Sequence, residues 1–213
     1  MYKVFVINGL PGSGTRLLYD FIEPFYPRVA LPAEELGMIT NLKDIDNLKI
    51  NYNSSFKTHS RNPTVEYKNV KTRVLYLFAN VINSAIGRIG GLRGIDNPGI
   101  ISYNVAKFMN IDSELAKKNA FEIDVFDFIG HFKNWNKPHK YPVLMIRYEA
   151  LYSYLNKVLD FLELPKEYNN FPTKKERRIN WKNHPKKELL LATYGEAMNY
   201  LDSMPDLIET DIT

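Results

Sequence analysis

Residues 4–22 read VFVINGLPGSGTRLLYDFI and join three patterns in one short stretch. An apolar run, Val4 to Ile7, has the length of a buried strand. The glycine-rich turn GLPGSG follows at residues 9–14, and the amphipathic run after it predicts a helix that ends near Ile22. A strand that leads through such a turn into a helix is typical of a phosphate-binding loop. The stretch therefore predicts an α/β fold that binds an anion beside its first helix.

The loop departs from the common nucleotide-binding form at two positions. In the pattern G-x-x-x-x-G-K-[ST], the lysine reaches the terminal phosphates and the hydroxyl residue binds magnesium. Here Thr15 stands at the lysine position and Arg16 at the hydroxyl position. The backbone N–H groups of Gly12, Ser13, Gly14 and Thr15, with the positive end of the helix, can still hold a diphosphate-like group. The alternative is a purely structural turn between strand and helix.

Composition and charge favour a single globular domain over residues 1–213. Hydrophobic residues make up 45% of the chain and charged residues 24%, and this length suffices for a full core. Cysteine is absent, which excludes disulfides and thiolate metal sites. The net charge of +4 favours anionic ligands, and the scattered Lys and Arg argue against nucleic acid as a partner. Because no apolar run approaches the ~20 residues of a membrane span and no signal-peptide pattern is found, we expect a cytoplasmic protein with no membrane partner.

Four runs have the composition and length of strands, and five have helical periodicity. The strand candidates are Lys3–Asn8, Asn53–Lys57, Thr72–Phe78 and Pro142–Tyr148. The helix candidates are Gly14–Ile22, Asn80–Ile89, Ser113–Trp135, Ala150–Leu162 and Lys186–Met204. Strands that alternate with helices predict a three-layer α/β fold with a central, mostly parallel sheet. Ligands bind such sheets at the carboxyl ends of the strands, so the residues just after each strand are the site candidates.

A kinase or other NTPase with a phosphate loop also needs magnesium, which an acidic residue at the end of a buried strand commonly holds. The third strand candidate ends without one, and the fourth ends in Arg147-Tyr148-Glu149. The loop lysine, its neighbouring hydroxyl and a clear metal carboxylate are all missing. We therefore expect no metal, and a small-molecule or nucleotide kinase is the alternative function.

The first loop resembles that of the sulfotransferase family, which moves a sulfuryl group from 3'-phosphoadenosine 5'-phosphosulfate to an acceptor hydroxyl or amine. The family's loop is roughly P-K-S-G-T-T, and residues 11–16, PGSGTR, match it at four positions. The resemblance implies a P-loop NTPase-like sulfotransferase fold and a donor that needs no metal. It implies donor contacts from the whole loop, namely Pro11, Gly12, Ser13, Gly14, Thr15 and Arg16. Gly12 replaces the family's lysine, and Arg16 is the candidate to supply that charge.

The segment after the second strand, Lys57-Thr58-His59-Ser60, resembles the family's Lys-x-His unit. The resemblance implies that Lys57 contacts the phosphosulfate and that His59 removes the acceptor proton. Sulfuryl transfer, like phosphoryl transfer, depends on in-line positioning and on neutralising charge at the leaving oxygen, which suits a cation beside a base. A histidine also has the unperturbed pKa of a base that works near neutral pH. Outside this context a Lys-Thr-His tripeptide is most often a solvated turn.

The family's R-N-P signature, with a serine eight residues after the arginine, is altered in this chain. Those two side chains clamp the donor's 3'-phosphate in the family, and here Ala79 and Gly87 occupy their positions. Ser84 and Arg88, with Asn83, lie nearby at helical spacings and are the candidates to replace the clamp. An ordinary helix start is the alternative.

Residues 173–184, TKKERRINWKNH, follow the family's FRKGxxGDWKNH in register. That segment wraps the 3'-phosphate and the adenine in the family, so the resemblance implies that Lys174, Lys175 and Trp181 bind the donor. Residues 141–165 also resemble the family, and we interpret them as architecture. His131 and Trp135 either face an acceptor or complete the core.

Three functions stay open at this point. The resemblance implies a divergent, short sulfotransferase that uses 3'-phosphoadenosine 5'-phosphosulfate and releases adenosine 3',5'-bisphosphate. Its acceptor would be a small molecule or a saccharide, and neither the acceptor nor the oligomeric state is specified by the sequence. The alternatives are the kinase and a non-catalytic nucleotide-binding module.

Overall fold

The computed structural model describes residues 1–28, 52–63, 70–89, 112, 121–165, 171–173 and 180–213. Within these residues, one sheet is formed by β1 (Tyr2–Gly9), β2 (Ser54–Lys57), β3 (Val70–Phe78), β4 (Val143–Arg147) and β5 (Leu207–Thr210). The helices are α1 (Thr15–Ile22), α2 (Val81–Ile89), α3 (Phe128–Trp135), α4 (Leu155–Phe161) and α5 (Lys187–Asp202). Short 3₁₀ helices cover Tyr148–Ala150 and Trp181–Asn183.

The strand order of the sheet is β2-β1-β3-β4-β5. The first four strands of this order run parallel, and β5 pairs antiparallel with β4. β1 lies between β2 and β3, so the two strands that follow it in the chain flank it on opposite sides. The direction of winding therefore reverses at β1, which makes its carboxyl end the topological switch point of the sheet.

Side chains that alternate along the strands build a core on each face of the sheet. On β3, Val74 and Tyr76 enter a cluster with α2, α3 and α5, whereas Leu75 and Leu77 enter a cluster with α1 and α4. Burial on both faces explains why the strand candidates are near-continuous apolar runs rather than alternating ones. The predicted three-layer α/β fold with a central, mostly parallel sheet is confirmed.

The long helix predicted over Ser113–Trp135 is wrong in part. Of its described residues, those of α3 are helical and residues 121–127 form turns, while residues 113–120 lie outside the described part. The carboxylate of Asp124 accepts from two following backbone N–H groups at 3.0 and 2.9 Å, and Asp127 caps α3 at 3.1 Å. Such local side-chain hydrogen bonds compete with helical ones, so the backbone of residues 121–127 is not helical although the sequence is periodic there.

The other predicted bounds agree with the structure to within two residues, except at the start of one helix, and one strand was missed. The helix predicted from Ala150 begins at Leu155, because a 3₁₀ helix and a turn precede α4. β5 was not predicted, since this short edge strand depends on its pairing with β4 rather than on local sequence. Among the described residues, no helix has the length and apolar character needed to cross a membrane.

Candidate active site

Three segments meet at the carboxyl edge of the sheet, beside β1. The loop after β1 leads to α1 on one face, and the segment after β3 leads to α2 on the other. β2 ends next to β1, where Lys57 pairs with Ile7. Neighbouring connections that leave toward opposite faces open a crevice between them. The predicted site residues of all three segments therefore belong to one region.

The loop after β1 requires glycine at two positions. Gly12 and Gly14 have φ angles of 82° and 87°, in the left-handed region that glycine adopts without strain. A Cβ atom on Gly14 would overlap the ring of Tyr148, and one on Gly12 would lie 3.0 Å from the carbonyl oxygen of Ser84. The loop is thus held between α2 on one side and the segment after β4 on the other.

Several backbone donors of this loop are unpaired. The N–H groups of Gly12, Gly14 and Thr15 have no acceptor among the described residues. The N–H group of Ser13 instead donates to the carbonyl of Leu10 at 3.1 Å, so this predicted donor is engaged within the loop. Orphan amides at a helix start, with the positive end of the helix dipole, favour an anion.

Two hydroxyl groups beside the loop are also unpaired. The side chains of Ser13 and Ser84 are fully buried, and neither oxygen has a partner among the described residues. Buried hydroxyl groups in folded proteins normally have a hydrogen-bond partner. Because the backbone of Ser84 contacts Gly12, both hydroxyls border the same loop and indicate a site for an additional acceptor.

His59 lies beneath the loop, with its side chain only 1% exposed. Its Nδ1 atom is 2.7 Å from the carbonyl oxygen of Gly9. A carbonyl can only accept, so Nδ1 carries the proton and the lone pair of the neutral ring lies on Nε2. Burial lowers the pKa of His59 well below its ordinary value, and the charges of Lys57 and Arg88 lower it further. The imidazole is therefore neutral near pH 7, which is the form a general base requires.

Lys57 is the first of a group of cations at this edge. Burial lowers the pKa of Lys57 to about 8, and the charges of Arg88 and Arg16 act in the same direction. Burial also lowers the pKa of Arg88. Among the described residues, no acidic side chain forms an ion pair with Lys57 or Arg88. An anion placed here would relieve both the desolvation and the mutual repulsion of these charges.

Arg16 pairs with an acidic side chain on its own helix. Its Nε atom lies 2.7 Å from the carboxylate of Asp20, one turn along α1, and its side chain is 76% exposed. The replacement of the missing loop lysine by Arg16 stays a prediction, and the charge of Arg16 does lower the pKa of Lys57. An exposed i,i+4 pair of this kind is typical of the solvent face of a helix.

Sequence reasoning left the role of His131 and Trp135 open, and the structure shows that they hold the segment that contains His59. The Nε2 atom of His131 lies 3.1 Å from the backbone carbonyl of His59, and Trp135 donates to the carbonyl of Ser60 at 2.9 Å. His131 Nδ1 therefore accepts from the hydroxyl of Tyr76, 2.8 Å away. Burial lowers the pKa of His131 to about 4, so it stays neutral. Their i,i+4 spacing on α3 was the available signal, because it places both on one helix face.

The start of α2 has capping contacts where the family has its phosphate clamp. Asn80 accepts from the N–H of Asn83 at 3.0 Å, and the side chain of Asn83 accepts from the N–H of Trp181 at 3.0 Å. The segment with Trp181 is thereby joined to α2 one residue before Ser84. Ala79 is fully buried and adds no polar group.

Two predicted donor-binding residues, Lys174 and Lys175, lie outside the described residues, and their contacts stay predictions. Pro11 is buried in the turn before Gly12 and has no N–H group to offer. No group of three or more His, Asp or Glu side chains that would hold a metal occurs in the part of the chain described here. Metal-free donor binding likewise stays a prediction.

An open cavity of about 440 Å³ lies apart from this loop, at the end of α3. Its lining includes the cations Arg61, Lys137 and Lys140 and the ring of Tyr141. None of the loop residues and neither Lys57 nor His59 lines it. The candidate chemistry therefore belongs to the crevice at the end of β1 and not to this cavity.

No protein-family model matches the chain, and no curated protein matches it either. Among solved structures, the chain is similar to mouse sulfotransferase SULT7A1 complexed with PAP. The identity is 19%, the TM-score is 0.42, and the match covers 77% of this chain and 59% of that one. This chain thus spans less than two thirds of the length of that protein. Residue roles in this chain therefore rest on its own geometry.

Proposed function

We propose that this chain is a sulfotransferase that moves the sulfuryl group of 3'-phosphoadenosine 5'-phosphosulfate to a hydroxyl or amine of a small molecule or saccharide. The observation that carries the proposal is the position of a neutral histidine and a half-buried lysine beside a loop with unpaired amides. His59 contacts Gly9 at the start of that loop, and Lys57 follows β2 at the same edge. Anion-holding amides, a cation and a base are the groups that this transfer needs.

Each residue then has a defined part in the reaction. The amides of Gly12, Gly14 and Thr15 hold the 5'-phosphosulfate. The acceptor oxygen or nitrogen attacks sulfur as the bond from sulfur to the phosphate oxygen breaks, and Nε2 of His59 takes the acceptor proton. Lys57 neutralises the charge that develops on the leaving phosphate oxygen, and adenosine 3',5'-bisphosphate is released. His59 is buried in this structure, so an acceptor must displace contacts that cover the ring.

The kinase and the non-catalytic module are distinguished from a sulfotransferase by their ligands. A kinase of this class would bind ATP with magnesium and consume it. A module would bind the nucleotide without turning it over. The sulfotransferase binds the 3',5'-bisphosphate without a divalent ion, because amides and cations of the protein neutralise the charge.

Thermal unfolding with ligands tests the proposal, because a ligand that binds only the folded state raises the melting temperature with its occupancy. Adenosine 3',5'-bisphosphate is titrated with and without EDTA, beside ATP with and without Mg²⁺. We expect stabilisation by the bisphosphate that EDTA leaves unchanged, and little effect of ATP. Transfer of labelled sulfate from the donor to a panel of phenols, alcohols, amines and saccharides then reports the activity. Stabilisation only by Mg²⁺ and ATP, or binding that EDTA abolishes, would overturn the proposal in favour of the kinase.

A further inference from the structure

Position 12 of the loop is a glycine, where the resemblance implies a lysine that faces the phosphosulfate. The side chain of Arg16 lies against Asp20 on the outer face of α1 and is 76% exposed. Lys57 is then the one cation that the proposed mechanism places at the transferring group. A donor whose phosphosulfate carries two formal charges would leave one of them without a facing side chain.

Helix α2 occupies the space beside Gly12. A Cβ atom there would lie 3.0 Å from the carbonyl oxygen and 3.1 Å from the Cα atom of Ser84. These are backbone atoms of a helix, which cannot move aside as a flexible side chain can. A side chain at position 12 would therefore be strained by its contact with α2 as well as by the φ angle of 82°.

The same helix carries its own cation at the same face. Arg88 lies four residues after Ser84 on α2, and residues at this spacing are neighbours about 5–6 Å apart on one helix face. The Arg88 side chain is half-buried and has no acidic ion-pair partner among the described residues. Its charge lies close enough to lower the pKa of both Lys57 and His59. Because the backbone of Ser84 lies against Gly12, this spacing places Arg88 one helical turn from the loop.

On the basis of the sulfotransferase function proposed above, we propose that Arg88 supplies from α2 the charge that the loop lysine supplies in the family. It contacts the phosphosulfate oxygens together with Lys57. This assignment differs from the role in a 3'-phosphate clamp that the sequence suggested. The planar guanidinium suits the task, because it presents two parallel N–H groups to a phosphate or sulfate.

A bound anion would offset the electrostatic cost of placing Lys57 and Arg88 at the same edge of the sheet. Two half-buried positive charges with no carboxylate partner among the described residues repel each other, and their partial burial removes some of the water that would screen them. A bound phosphosulfate faces both and offsets that cost. Removing either charge should therefore weaken the 5' end of the donor, whether or not a 3'-phosphate is present.

A comparison of two nucleotides tests the assignment. Adenosine 5'-phosphosulfate lacks the 3'-phosphate, and adenosine 3',5'-bisphosphate has it. We expect Arg88→Met, which keeps the aliphatic volume, to weaken both by about ten- to a hundredfold, as loss of a charge-assisted contact does. Arg88→Lys should restore part of the loss. Arg73→Met, which removes a half-buried arginine paired with Glu163 elsewhere on the sheet, is the matched control and should leave both affinities unchanged.

Each other result decides against the assignment in a defined way. Loss confined to the bisphosphate would make Arg88 a 3'-phosphate clamp. Unchanged affinities in Arg88→Met, with a large loss in Arg16→Ala, would return the role to Arg16. Unchanged affinities in both would remove it from either residue. A parent protein that binds neither nucleotide would overturn the sulfotransferase function and this inference together. Melting curves without ligand show that each variant is folded before its affinity is compared.

Discussion

The Nε2–H group of His131 donates to the backbone carbonyl of His59 across 3.1 Å, while Nδ1 of His59 donates to the carbonyl of Gly9 across 2.7 Å. One histidine thus holds the backbone of the other, whose ring is fixed to the start of the phosphate loop. The carbonyl acceptors determine the tautomer of each ring. This chain of contacts ties α3, the end of β2 and the loop after β1 into one rigid arrangement.

His59→Ala should lower the rate of sulfuryl transfer by roughly 10² to 10⁴ fold, the usual contribution of a general base. Donor affinity should change little, because the loop amides and Lys57 hold the phosphosulfate. Single-turnover kinetics and bisphosphate titration measure the two effects separately. Turnover equal to that of the parent would remove the base assignment.

Because Lys57 loses its proton above about pH 8, anion affinity should fall as the pH rises above that value. Its pKa in the free protein is about 8, and a bound anion favours the protonated amine. Affinity for adenosine 3',5'-bisphosphate should therefore fall by about tenfold per pH unit above pH 8. Lys57→Met should bind weakly at every pH and lack this slope. A parent protein with a flat profile between pH 7 and 9.5 would contradict the prediction.

The same lowered pKa predicts the sign of a stability effect without ligand. Between about pH 8 and the ordinary value of 10.5, the unfolded chain binds the Lys57 proton and the folded chain does not. The free energy of unfolding contributed by Lys57 should therefore rise with pH across this window, since the cost of a buried ammonium is removed. The difference between parent and Lys57→Met in urea unfolding at several pH values isolates this contribution. We expect the parent to gain free energy of unfolding relative to Lys57→Met as the pH rises from about 8 to 10.5. A parent that loses free energy of unfolding relative to the variant over this range would contradict the assigned sign.

His131→Ala should reduce both stability and turnover, whereas His139→Ala should reduce stability alone. Each removes a buried imidazole that donates to a carbonyl, but His139 is bonded to Trp135 at the other end of α3. We expect about 2 to 4 kcal/mol less free energy of unfolding for His131→Ala, because the hydroxyl of Tyr76 and a carbonyl lose their partner. Displacement of the His59 backbone should lower turnover by roughly tenfold to a hundredfold. Equal turnover in the two variants would show that His131 is purely structural.

Gly14→Ala should destabilise the protein through two separable causes. The left-handed backbone of Gly14 costs a residue with a Cβ atom about 1–2 kcal/mol, and the added carbon overlaps the ring of Tyr148. In a double-mutant cycle, Tyr148→Ala should relieve the overlap and leave the backbone cost. Strict additivity of the two changes would show that the ring and the glycine do not contact each other.

Lys174→Ala combined with Lys175→Ala should weaken adenosine 3',5'-bisphosphate more than adenosine 5'-phosphosulfate. Two charge-assisted contacts to a 3'-phosphate are worth ~1.5 to 3 kcal/mol each. Isothermal titration with both nucleotides measures the difference. Equal losses of affinity for both nucleotides would show that these lysines do not contact the 3'-phosphate.

Local sequence was sufficient where a pattern and its structural cause lie within one segment. The run from Val4 through Ile22 predicted β1, the loop and α1, because apolar strand residues, glycines at left-handed positions and a helical period each act over a few residues. It was insufficient for residues 121–127, where the carboxylate of Asp124 reaches backbone amides and ends the helical pattern. It was also insufficient for β5, a short edge strand that exists through its pairing with β4.

The sequence by itself determined the α/β class, the glycine loop and the Lys57–His59 pair, since these depend on residue types at fixed spacings. Only the tertiary structure distinguished Arg16 from Arg88, because the two are equally basic in sequence and differ in what surrounds them. Arg16 meets a carboxylate one turn away on an exposed helix face, and Arg88 is half-buried with no acidic ion-pair partner among the described residues. Burial and neighbours, which no single segment contains, also lowered the pKa of His59 and Lys57. The charge and protonation of the site are therefore properties of three segments brought together by the sheet.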